Sequence, residues 1–364
     1  MTEHPQASTA TAERLGSPPV AAVVLAAGQS KRMRSRLVKV LHPLAGKPVI
    51  AHVLGPLRAL GVTRTVVVVG HQRELVQDAV SGLSAGAAGA AGSRETVEFA
   101  YQDQALGTGH ALLQCRPMLG EFDGDLLVTA GDTPLLREES LRMLLRHHRE
   151  RGAAATILTA VLEDPTGYGR IVRRGSAVTG IVEHRDATPE QLRIREVNTS
   201  IYCFRAADAL PALDRLEREN RQGEYYLTDL PILLRDAPGG VQALTIEDPQ
   251  EVLGINDREQ LAYAESVLRR RIRQRVFAGG VTMLQPETIL LDAEVSIGPD
   301  SVLYPGVIVE GPSVIGAECV IGPYSRIVAS HIGTGVELKG WNFVAGTTIA
   351  SGAILQPYVR KGSD

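Results

Sequence analysis

The sequence predicts two domains of different architecture, an α/β domain with a mostly parallel sheet followed by a short parallel β-helix. In the first part of the chain, short Val- and Leu-rich runs alternate with helical stretches, which is typical of βαβ units. In the last part, apolar residues recur every six positions, a period that fits neither a helix nor an ordinary strand. The length of 364 residues exceeds one ordinary domain and agrees with this division.

Three apolar runs predict strands of the first domain: residues 20–28, 65–70 and 125–132. None of them alternates with polar residues, as expected for strands that are buried on both faces of a sheet. Residues 49–60 and 74–80 lie between these runs and have helical patterns. Strands that alternate with helices in this way predict a mostly parallel sheet.

Segments outside this pattern mark the domain boundaries. The small and polar N-terminal residues predict a disordered tail, and Ser81–Gly92 predicts a mobile surface loop. Residues 258–277 predict one helix with Asp257 as its N-cap, and the arginine cluster 269–275 predicts a solvated face. The predicted parts are a tail (1–19), an α/β domain (20–257), a linker helix (258–283) and a β-helix (284–364).

The six-residue period is sustained over seven apolar residues, and glycine directly follows three of them. In a parallel β-helix each hexad forms one flat side of a coil, and its apolar residue points into the stack. The phase slips after the seventh residue and again before Ile349, so we expect about four coils. The seven residues in phase are Leu291, Ile297, Leu303, Val309, Ile315, Ile321 and Ile327.

The composition excludes several classes of protein. The formal net charge of -3 argues against a dominant basic surface for nucleic acid or for an anionic membrane. No apolar run approaches the roughly 18 residues of a membrane helix. Cys115, Cys203 and Cys319 lie far apart and form no CxxC pair, which argues against a zinc site or a disulfide framework and favours the cytoplasm.

A basic loop that contains Arg32 and Lys39 follows the first predicted strand. Backbone N–H groups in such a turn bind phosphate, and the two cations add positive charge. No Gly-Lys-Ser/Thr sequence closes the loop, so it is not a Walker A loop. From these residues alone, the loop either binds phosphate or is a solvated surface loop. Asp132, at the end of the third strand, is either a magnesium ligand or a turn residue, because ligands bind at the carboxyl ends of strands in open α/β sheets.

At this loop the chain resembles the sugar-1-phosphate nucleotidyltransferases. Within them it resembles the bifunctional N-acetylglucosamine-1-phosphate uridyltransferase/glucosamine-1-phosphate acetyltransferase family. The resemblance covers about residues 20–327. Its motifs occur in order: LAAGQSKRM (Leu25–Met33), KVLH (Lys39–His42), LAGKP (Leu44–Pro48), QDQALGTGHA (Gln102–Ala111), AGDTPLL (Ala130–Leu136), YGRIV (Tyr168–Val172), IVEHRDAT (Ile181–Thr188), EVNTSIY (Glu196–Tyr202), GEYYLTDLP (Gly223–Pro231) and LGINDREQL (Leu253–Leu261).

The resemblance implies a Rossmann-like nucleotidyltransferase sheet followed by a short left-handed parallel β-helix. It implies Mg²⁺-dependent transfer of a uridylyl group from UTP to N-acetylglucosamine 1-phosphate, which gives UDP-N-acetylglucosamine and pyrophosphate. In this scheme Arg32 and Lys39 are catalytic, and Asp132 and Asn256 hold the metal. The substrate-binding residues that the resemblance implies are Leu25, Ala27, Gly28, Gln102, Gly107, Thr108, Gly169, Glu183, Asn198 and Asn256.

The chain departs from the family pattern at several positions. Ser30 and Lys31 replace glycine and threonine in the basic loop, Val38 replaces proline, and Ser200 stands where glycine is common. No Asn-Tyr-Asp-Gly segment occurs, and His331 does not match the family's histidine base, so we expect acetyltransferase activity to be absent. The hexapeptide repeat implies a homotrimer.

Two alternatives stay open. One is a nucleotidyltransferase for another sugar phosphate, such as glucose 1-phosphate, with dTTP or UTP as donor. The other is a non-catalytic trimeric scaffold. A panel of sugar phosphates and nucleotides distinguishes the first alternative, and binding of UTP without turnover would favour the second.

Overall fold

The structure is a computed structural model that describes residues 18–28, 31–85 and 96–362. The chain forms two compact units. The sheet unit contains the described residues of Met1–Gln29 and Val53–Gly254, and the β-helix unit contains those of Ser30–His52 and Ile255–Asp364. Most of the predicted tail, and Ser30 in the basic loop, lie outside the described residues. Among the residues described, no helix is both long and apolar enough to cross a bilayer.

The described residues up to 254 form eleven strands and eight α-helices. The strands are β1 (Val20–Leu25), β2 (Pro43–Leu44), β3 (Lys47–Pro48), β4 (Arg64–Val69), β5 (Thr96–Tyr101), β6 (Asp125–Ala130), β7 (Ala155–Val161), β8 (Arg170–Arg174), β9 (Ala177–Val182), β10 (Glu196–Arg205) and β11 (Val241–Thr245). The helices are α1 (Val49–Ala59), α2 (Arg73–Ala85), α3 (Thr108–Leu113), α4 (Arg116–Leu119), α5 (Glu138–Glu150), α6 (Pro189–Leu192), α7 (Ala206–Ala212) and α8 (Asp229–Leu233).

The sheet unit is built on one mixed sheet with the order β11-β7-β10-β6-β1-β4-β5, and β8 and β9 are attached beside β10. Strands β6, β1, β4 and β5 run parallel to one another, whereas β10 is antiparallel to both β6 and β7. The three apolar runs become β1, β4 and β6, as predicted. Their central residues are fully buried because helices cover both faces of a parallel sheet.

One local prediction is wrong. The small-residue segment Ser81–Gly92 was expected to be a loop throughout, but α2 continues through its first five residues to Ala85. Ser, Leu and Ala there are compatible with a helix, and the single glycine at position 82 costs only about 1 kcal/mol and does not end it. The rest of the segment lies outside the described residues.

The C-terminal part is a parallel β-helix with three faces, as the six-residue period predicts. Each strand pairs in parallel with the strand three further along the chain, and this forms three sheets. The strands are β12 (Thr282–Met283), β13 (Leu290–Leu291), β14 (Ser296–Ile297), β15 (Val302–Leu303), β16 (Ile308–Glu310), β17 (Val314–Ile315), β18 (Val320–Ile321), β19 (Arg326–Val328), β20 (His331–Ile332), β21 (Glu337–Leu338), β22 (Phe343–Ala345), β23 (Thr348–Ile349), β24 (Ile354–Leu355) and β25 (Arg360–Gly362).

The phase slip has a simple geometric cause. Ile297 pairs with Ile315, eighteen residues on, but Ile315 pairs with Ile332, seventeen residues on. One corner of the later coils is therefore a residue shorter, and the apolar residues still stack. All of them except the half-buried Ile297 belong to a continuous buried core in this unit.

The helix α9 (Arg258–Ala278) precedes the β-helix in the second unit, and Asp257 caps it by accepting a hydrogen bond from the Gln260 N–H at 2.8 Å. The predicted solvated face is only partly correct. Arg269 has an exposed side-chain fraction of 16% and pairs with Glu265 and Asp292.

Candidate active site

The carboxyl ends of β1, β4 and β6 meet at one edge of the sheet unit. The Ala26 N–H donates to the Val68 carbonyl at 2.9 Å, and the Gly131 N–H donates to the Leu25 carbonyl at 2.9 Å. Ala27 and Gly28 therefore leave the sheet between two neighbouring strands. An added Cβ at Gly28 would have no atom of the described residues within 4 Å.

A cavity of about 310 Å³ opens at the same edge. Predicted residues Ala27 and Gln102 line it together with Gly70 and residues 71–74. Gly70 was missed by the sequence analysis, although a glycine after a buried strand was a usable signal. An added Cβ there would lie 2.9 Å from the Ala27 carbonyl oxygen, so a side chain would push the two strand ends apart.

The segment around Gly107 is fixed to the chain near Tyr225. The Gln102 Nε2 donates to the Gly107 carbonyl at 2.9 Å, and Thr108 Oγ1 accepts from the Leu227 N–H at 3.2 Å. Gly107 has φ +107°, and an added Cβ would lie 2.5 Å from the Tyr225 carbonyl oxygen. Glycine is required there by both conformation and space. The structure thus brings Gln102, Gly107 and Thr108 together in one hydrogen-bonded segment.

Asp132 follows β6 at the same edge and is half-buried. The hydroxyl group of Thr133, next to it, donates to the Ala130 carbonyl at 2.9 Å and fixes the turn. Tyr168 lies within electrostatic range of Asp132. Burial raises the pKa of the Tyr168 hydroxyl, and the Asp132 carboxylate adds to this effect. The placement after a parallel strand is the position at which open α/β sheets bind ligands.

Gly169, Glu183 and Asn198 lie side by side. The Asn198 N–H donates to the Gly169 carbonyl at 2.9 Å. An added Cβ at Gly169 would lie 3.5 Å from Glu183 Oε1 and 3.6 Å from the Asn198 Cβ. These residues are up to 29 positions apart in the chain, so only the pairing of β8, β9 and β10 brings them together.

Glu183 is held in a site with several other acids. Burial raises the pKa of its carboxyl group, and the nearby Asp186, Asp229 and Glu224 raise it further, whereas a hydrogen bond from Thr228 opposes them. The Thr228 hydroxyl donates to Glu183 Oε1 at 3.3 Å. Glu183 is therefore a partly buried, hydrogen-bonded residue and not an ordinary surface acid.

One buried polar atom beside this cluster, Nε of Arg170, has no hydrogen-bond partner among the described residues. Arg170 has an exposed fraction of 1%, and its guanidinium donates to the Tyr168 carbonyl. Arg170 directly follows the predicted site residue Gly169, but it carries no functional signal of its own in the sequence, because an arginine in a short strand is usually a surface residue.

Ser200 has φ +61°, in the left-handed region. The pairing between β10 and β7 shifts register between Asn198 and Tyr202, so Ser200 lies in a bulge. A glycine would adopt this conformation without strain, which explains why glycine is common at the position that Ser200 occupies.

The basic loop belongs to the β-helix unit. Lys39 Nζ donates to Asn256 Oδ1 at 3.2 Å, so two predicted site residues meet here. Arg32 is exposed in a 3₁₀ turn over Lys31–Met33. Val38 has φ -62° and ψ 144°, a conformation that proline also adopts, so this departure preserves the backbone. Asp132 belongs to the sheet unit, and Asn256 belongs to the β-helix unit.

A second polar cluster lies at the opposite end of the sheet. Side-chain atoms of Asp125, His148 and Cys203 lie within 4.8 Å of one another and are buried. Asp125 accepts from Arg149 Nε at 2.6 Å, and His148 Nδ1 bonds with the Thr156 hydroxyl at 2.9 Å. Because these bonds already satisfy the carboxylate and the imidazole, we interpret the cluster as structural.

Comparison with protein families identifies both parts of the chain. A family model described as the MobA-like NTP transferase domain matches residues 22–228. A second, described as the bacterial transferase hexapeptide with six repeats, matches residues 294–329. The first match covers more than half of the chain.

Curated relatives match most of the chain. A protein named Bifunctional protein GlmU from Listeria innocua is 46% identical over 319 residues, which are 87% of this chain and 67% of the relative. The protein of the same name from Geobacillus thermodenitrificans is 44% identical with the same coverage. That from Syntrophotalea carbinolica is 44% identical over 91% of this chain and 68% of its own length. The chain thus spans about two thirds of these relatives.

A solved structure described as a glucose-1-phosphate thymidylyltransferase from Bacillus anthracis, in complex with a sucrose, has the same fold in part. It superposes with a TM-score of 0.54 at 20% identity and covers 68% of this chain and 94% of its own. At this identity the likeness supports the fold and nothing finer.

Proposed function

Because the chain belongs to the GlmU family and is a nucleotidyltransferase, we propose that it transfers the uridylyl group of UTP to N-acetylglucosamine 1-phosphate. A phosphate oxygen of the sugar substrate attacks the α-phosphorus of UTP in line. A new P–O bond forms, the bond to the β-phosphate breaks, and pyrophosphate leaves. UDP-N-acetylglucosamine is the product.

One observation carries this proposal. The cavity beside Gln102 and the cluster of Gly169, Glu183 and Asn198 lie at the same edge of one sheet. Asn198 pairs with Thr159 near the carboxyl end of β7, and Gln102 follows β5. Two neighbouring polar sites at this edge suit a nucleotide and a sugar, whose reacting phosphates must meet.

The cavity fits a nucleobase. Because its Nε2 is already engaged by the Gly107 carbonyl and by His110 Nδ1, Gln102 offers its amide oxygen as an acceptor for the N–H of a uracil ring. Its orientation is fixed by the bond from Nε2 to the Gly107 carbonyl. We propose that this segment, with Thr108 and the turn Leu25, Ala27 and Gly28, selects uracil and places the ribose.

The cluster of Gly169, Glu183 and Asn198 fits an amino sugar derivative. Glu183 and Asn198 offer acceptors and an amide to sugar hydroxyls and to an N-acetyl group, and the backbone at Gly169 permits close approach.

Arg32 and Lys39 suit the phosphates. Their positive charges oppose the negative charge that builds up on the transferred phosphoryl group. Asp132 and Asn256 offer a carboxylate and an amide oxygen, the donor types that Mg²⁺ prefers, and we propose that they hold this metal. When bound, the ion neutralises phosphate charge and orients the substrate.

The test is an assay of pyrophosphate release with UTP, Mg²⁺ and a panel of sugar 1-phosphates. We expect turnover with N-acetylglucosamine 1-phosphate, its loss with EDTA and its recovery on addition of Mg²⁺. A preference for glucose 1-phosphate or dTTP would replace the proposed substrates. If no combination of sugar phosphate and nucleotide releases pyrophosphate at high enzyme concentration, although UTP binds in calorimetry, the chain is a non-catalytic scaffold and not an enzyme.

Two further parts of the proposal concern the β-helix. We propose that this chain by itself has no acetyltransferase activity, and incubation with acetyl-CoA and glucosamine 1-phosphate tests this. We also propose that flat β-helix faces assemble three copies. Light scattering that gives a monomer would contradict the trimer.

A further inference from the structure

We propose that Arg258 and Glu265 of α9 are positioning residues that hold the basic loop in its working conformation, with the first β-helix coil as a backing. The proposal rests on the proposed function, in which Arg32 and Lys39 of this loop act on phosphate. It assigns a role in nucleotidyl transfer to a helix and a β-helix coil that contain no proposed catalytic residue.

The first contact holds the turn that carries Arg32. Arg258 Nε donates to the Met33 carbonyl at 3.2 Å. Met33 is fully buried, whereas Arg32 is exposed. The turn is therefore anchored on one side by an apolar side chain and on the other by a charged donor. Arg32 extends from a fixed backbone.

The second contact holds Lys39 through the start of α9. Lys39 Nζ donates to Asn256 Oδ1, and the Asn256 N–H donates to Gln260 Oε1 at 2.7 Å. Asp257 caps the same turn of the helix by accepting from the Gln260 N–H. Asn256, the partner of Lys39, is therefore hydrogen-bonded to the first turn of α9, which restricts its movement.

The third contact holds Ala45, in the turn that joins β2 to β3. The Ala45 N–H donates to Glu265 Oε2 at 2.7 Å, and the Ala45 carbonyl accepts from the Ala293 N–H at 2.9 Å. Both backbone polar groups of Ala45 are thus used, one by α9 and one by the β-helix. Gly46 follows with φ +83°, and an added Cβ would lie 2.4 Å from Asp292 Oδ2.

The groups that hold the loop are themselves held. Arg269 Nε donates to Glu265 Oε1 at 2.6 Å, and Arg269 also donates to Asp292 Oδ1 at 3.3 Å and to the Leu291 carbonyl at 2.9 Å. Arg269 and Asp292 are largely buried, with exposed side-chain fractions of 16% and 12%. Charge pairs with this little solvent are less screened than surface pairs.

These contacts make the loop, α9 and the first coil one structural piece. Catalysis by charge placement requires donors that are fixed before the reaction, and a displacement of about 1 Å costs up to about 100-fold in rate. Loosening the loop should therefore lower kcat more than it changes the KM for the sugar phosphate. The β-helix then serves nucleotidyl transfer.

The test compares four variants in the pyrophosphate assay: Glu265→Ala, Glu265→Gln, Arg258→Met and Arg258→Lys. We expect Glu265→Ala and Arg258→Met to lower kcat by at least 10-fold, with the KM for the sugar phosphate within twofold of wild type. Glu265→Gln should retain most of the activity, because its amide oxygen still accepts from Ala45. Glu259→Ala, an exposed acid in the first turn of the same helix, is the matched control and should leave kcat unchanged.

Amide hydrogen exchange supplies a readout that is independent of turnover. Glu265→Ala should accelerate exchange at residues 39–48 and leave the coils from residue 308 onward unchanged. Unchanged exchange in the loop, or normal kcat with accelerated exchange, would overturn the proposal. So would an equal loss of activity and thermal stability in Glu265→Ala and Glu265→Gln. If wild type itself releases no pyrophosphate, the proposed function fails, and the exchange experiment still decides whether α9 holds the loop.

Discussion

The ammonium group of Lys39 donates a hydrogen bond to Oδ1 of Asn256 at 3.2 Å, across 217 positions of sequence. We propose that Lys39 binds phosphate and that Asn256 binds the metal, and both roles concern the negative charge of the substrate phosphates. The amide oxygen orients the ammonium group of Lys39, whose other N–H donors can still bind phosphate.

Replacing Lys39 should therefore abolish most of the turnover. We expect Lys39→Ala to lower kcat by about 100-fold or more, the usual effect of removing one donor that contacts the developing charge. The thermal midpoint should change little, because Lys39 is only half-buried. Lys339→Ala, which removes a surface lysine of the β-helix paired with Glu337, should retain normal kcat. A Lys39→Ala variant within twofold of wild type would remove Lys39 from the mechanism.

Glu183 should make the affinity for the sugar phosphate depend on pH. Its pKa is raised by burial and then by neighbouring acids, so the carboxylate becomes protonated at a higher pH than an ordinary glutamate. The KM for the sugar phosphate should rise as the pH falls through this raised pKa, because a protonated carboxyl group loses acceptor capacity.

Glu183→Gln supplies the check on both affinity and stability. The variant should have a high KM that no longer responds to pH in this range. Because a raised carboxyl pKa means that the charged form is unfavourable in the fold, Glu183→Gln should also raise the thermal midpoint at pH 7.5. A lower midpoint, or a pH-dependent KM like that of wild type, would contradict this account.

His148 should make the free energy of unfolding fall in mild acid. Burial lowers its pKa to about 4; the Asp125 carboxylate opposes this shift, and Arg205, Arg149 and His147 add to it. Between pH 6.5 and 4 the unfolded chain binds a proton that the fold does not. Stability should therefore fall by about 3 kcal/mol over this range and level off below it.

Urea unfolding of wild type and of His148→Gln between pH 4 and 7 measures this contribution. The variant should lose most of the pH dependence that is assigned to His148, whereas His147→Gln, its half-buried neighbour, should retain it. Parallel pH profiles for wild type and His148→Gln would remove His148 as the cause.

Glu251 should be a major contributor to the stability of the sheet unit. Its carboxylate has an exposed fraction of 1% and accepts hydrogen bonds from the Arg137 N–H at 3.0 Å, from Arg137 Nε at 2.6 Å and from the Ser140 hydroxyl at 2.6 Å. These donors lie at the start of α5, so removal of the acid leaves the helix end uncapped and the buried Ser140 hydroxyl without its acceptor.

We expect Glu251→Ala to cost about 1–3 kcal/mol in urea unfolding, because the buried Ser140 hydroxyl and the Arg137 N–H lose their acceptor. Glu139→Ala, an exposed acid in the first turn of the same helix, should change the free energy of unfolding by less than about 1 kcal/mol. Similar losses in the two variants would show that Glu251 contributes no more to stability than an exposed acid of the same helix.

Most of the architecture could be predicted because it depends on local pattern. The runs that became β1, β4 and β6 are apolar throughout, and such runs are recognisable without knowledge of their partners. The β-helix was equally clear, because each apolar residue repeats the position of one in the preceding coil. The helix α9 and its cap at Asp257 follow from local chemistry as well. The extension of α2 to Ala85 was missed, because small residues do not distinguish a loop from a helix end.

The sequence by itself therefore determined the two architectures, the family, and the identity of most candidate site residues. Only the tertiary structure decided how they are grouped. It gathered Gly169, Glu183 and Asn198 by strand pairing, and it placed Lys39 and its loop in the unit of the β-helix. The physical reason is range. Periodicity and turn chemistry act over a few residues, whereas the charge pairs, backbone hydrogen bonds and burial that orient a site join residues that are far apart in the chain.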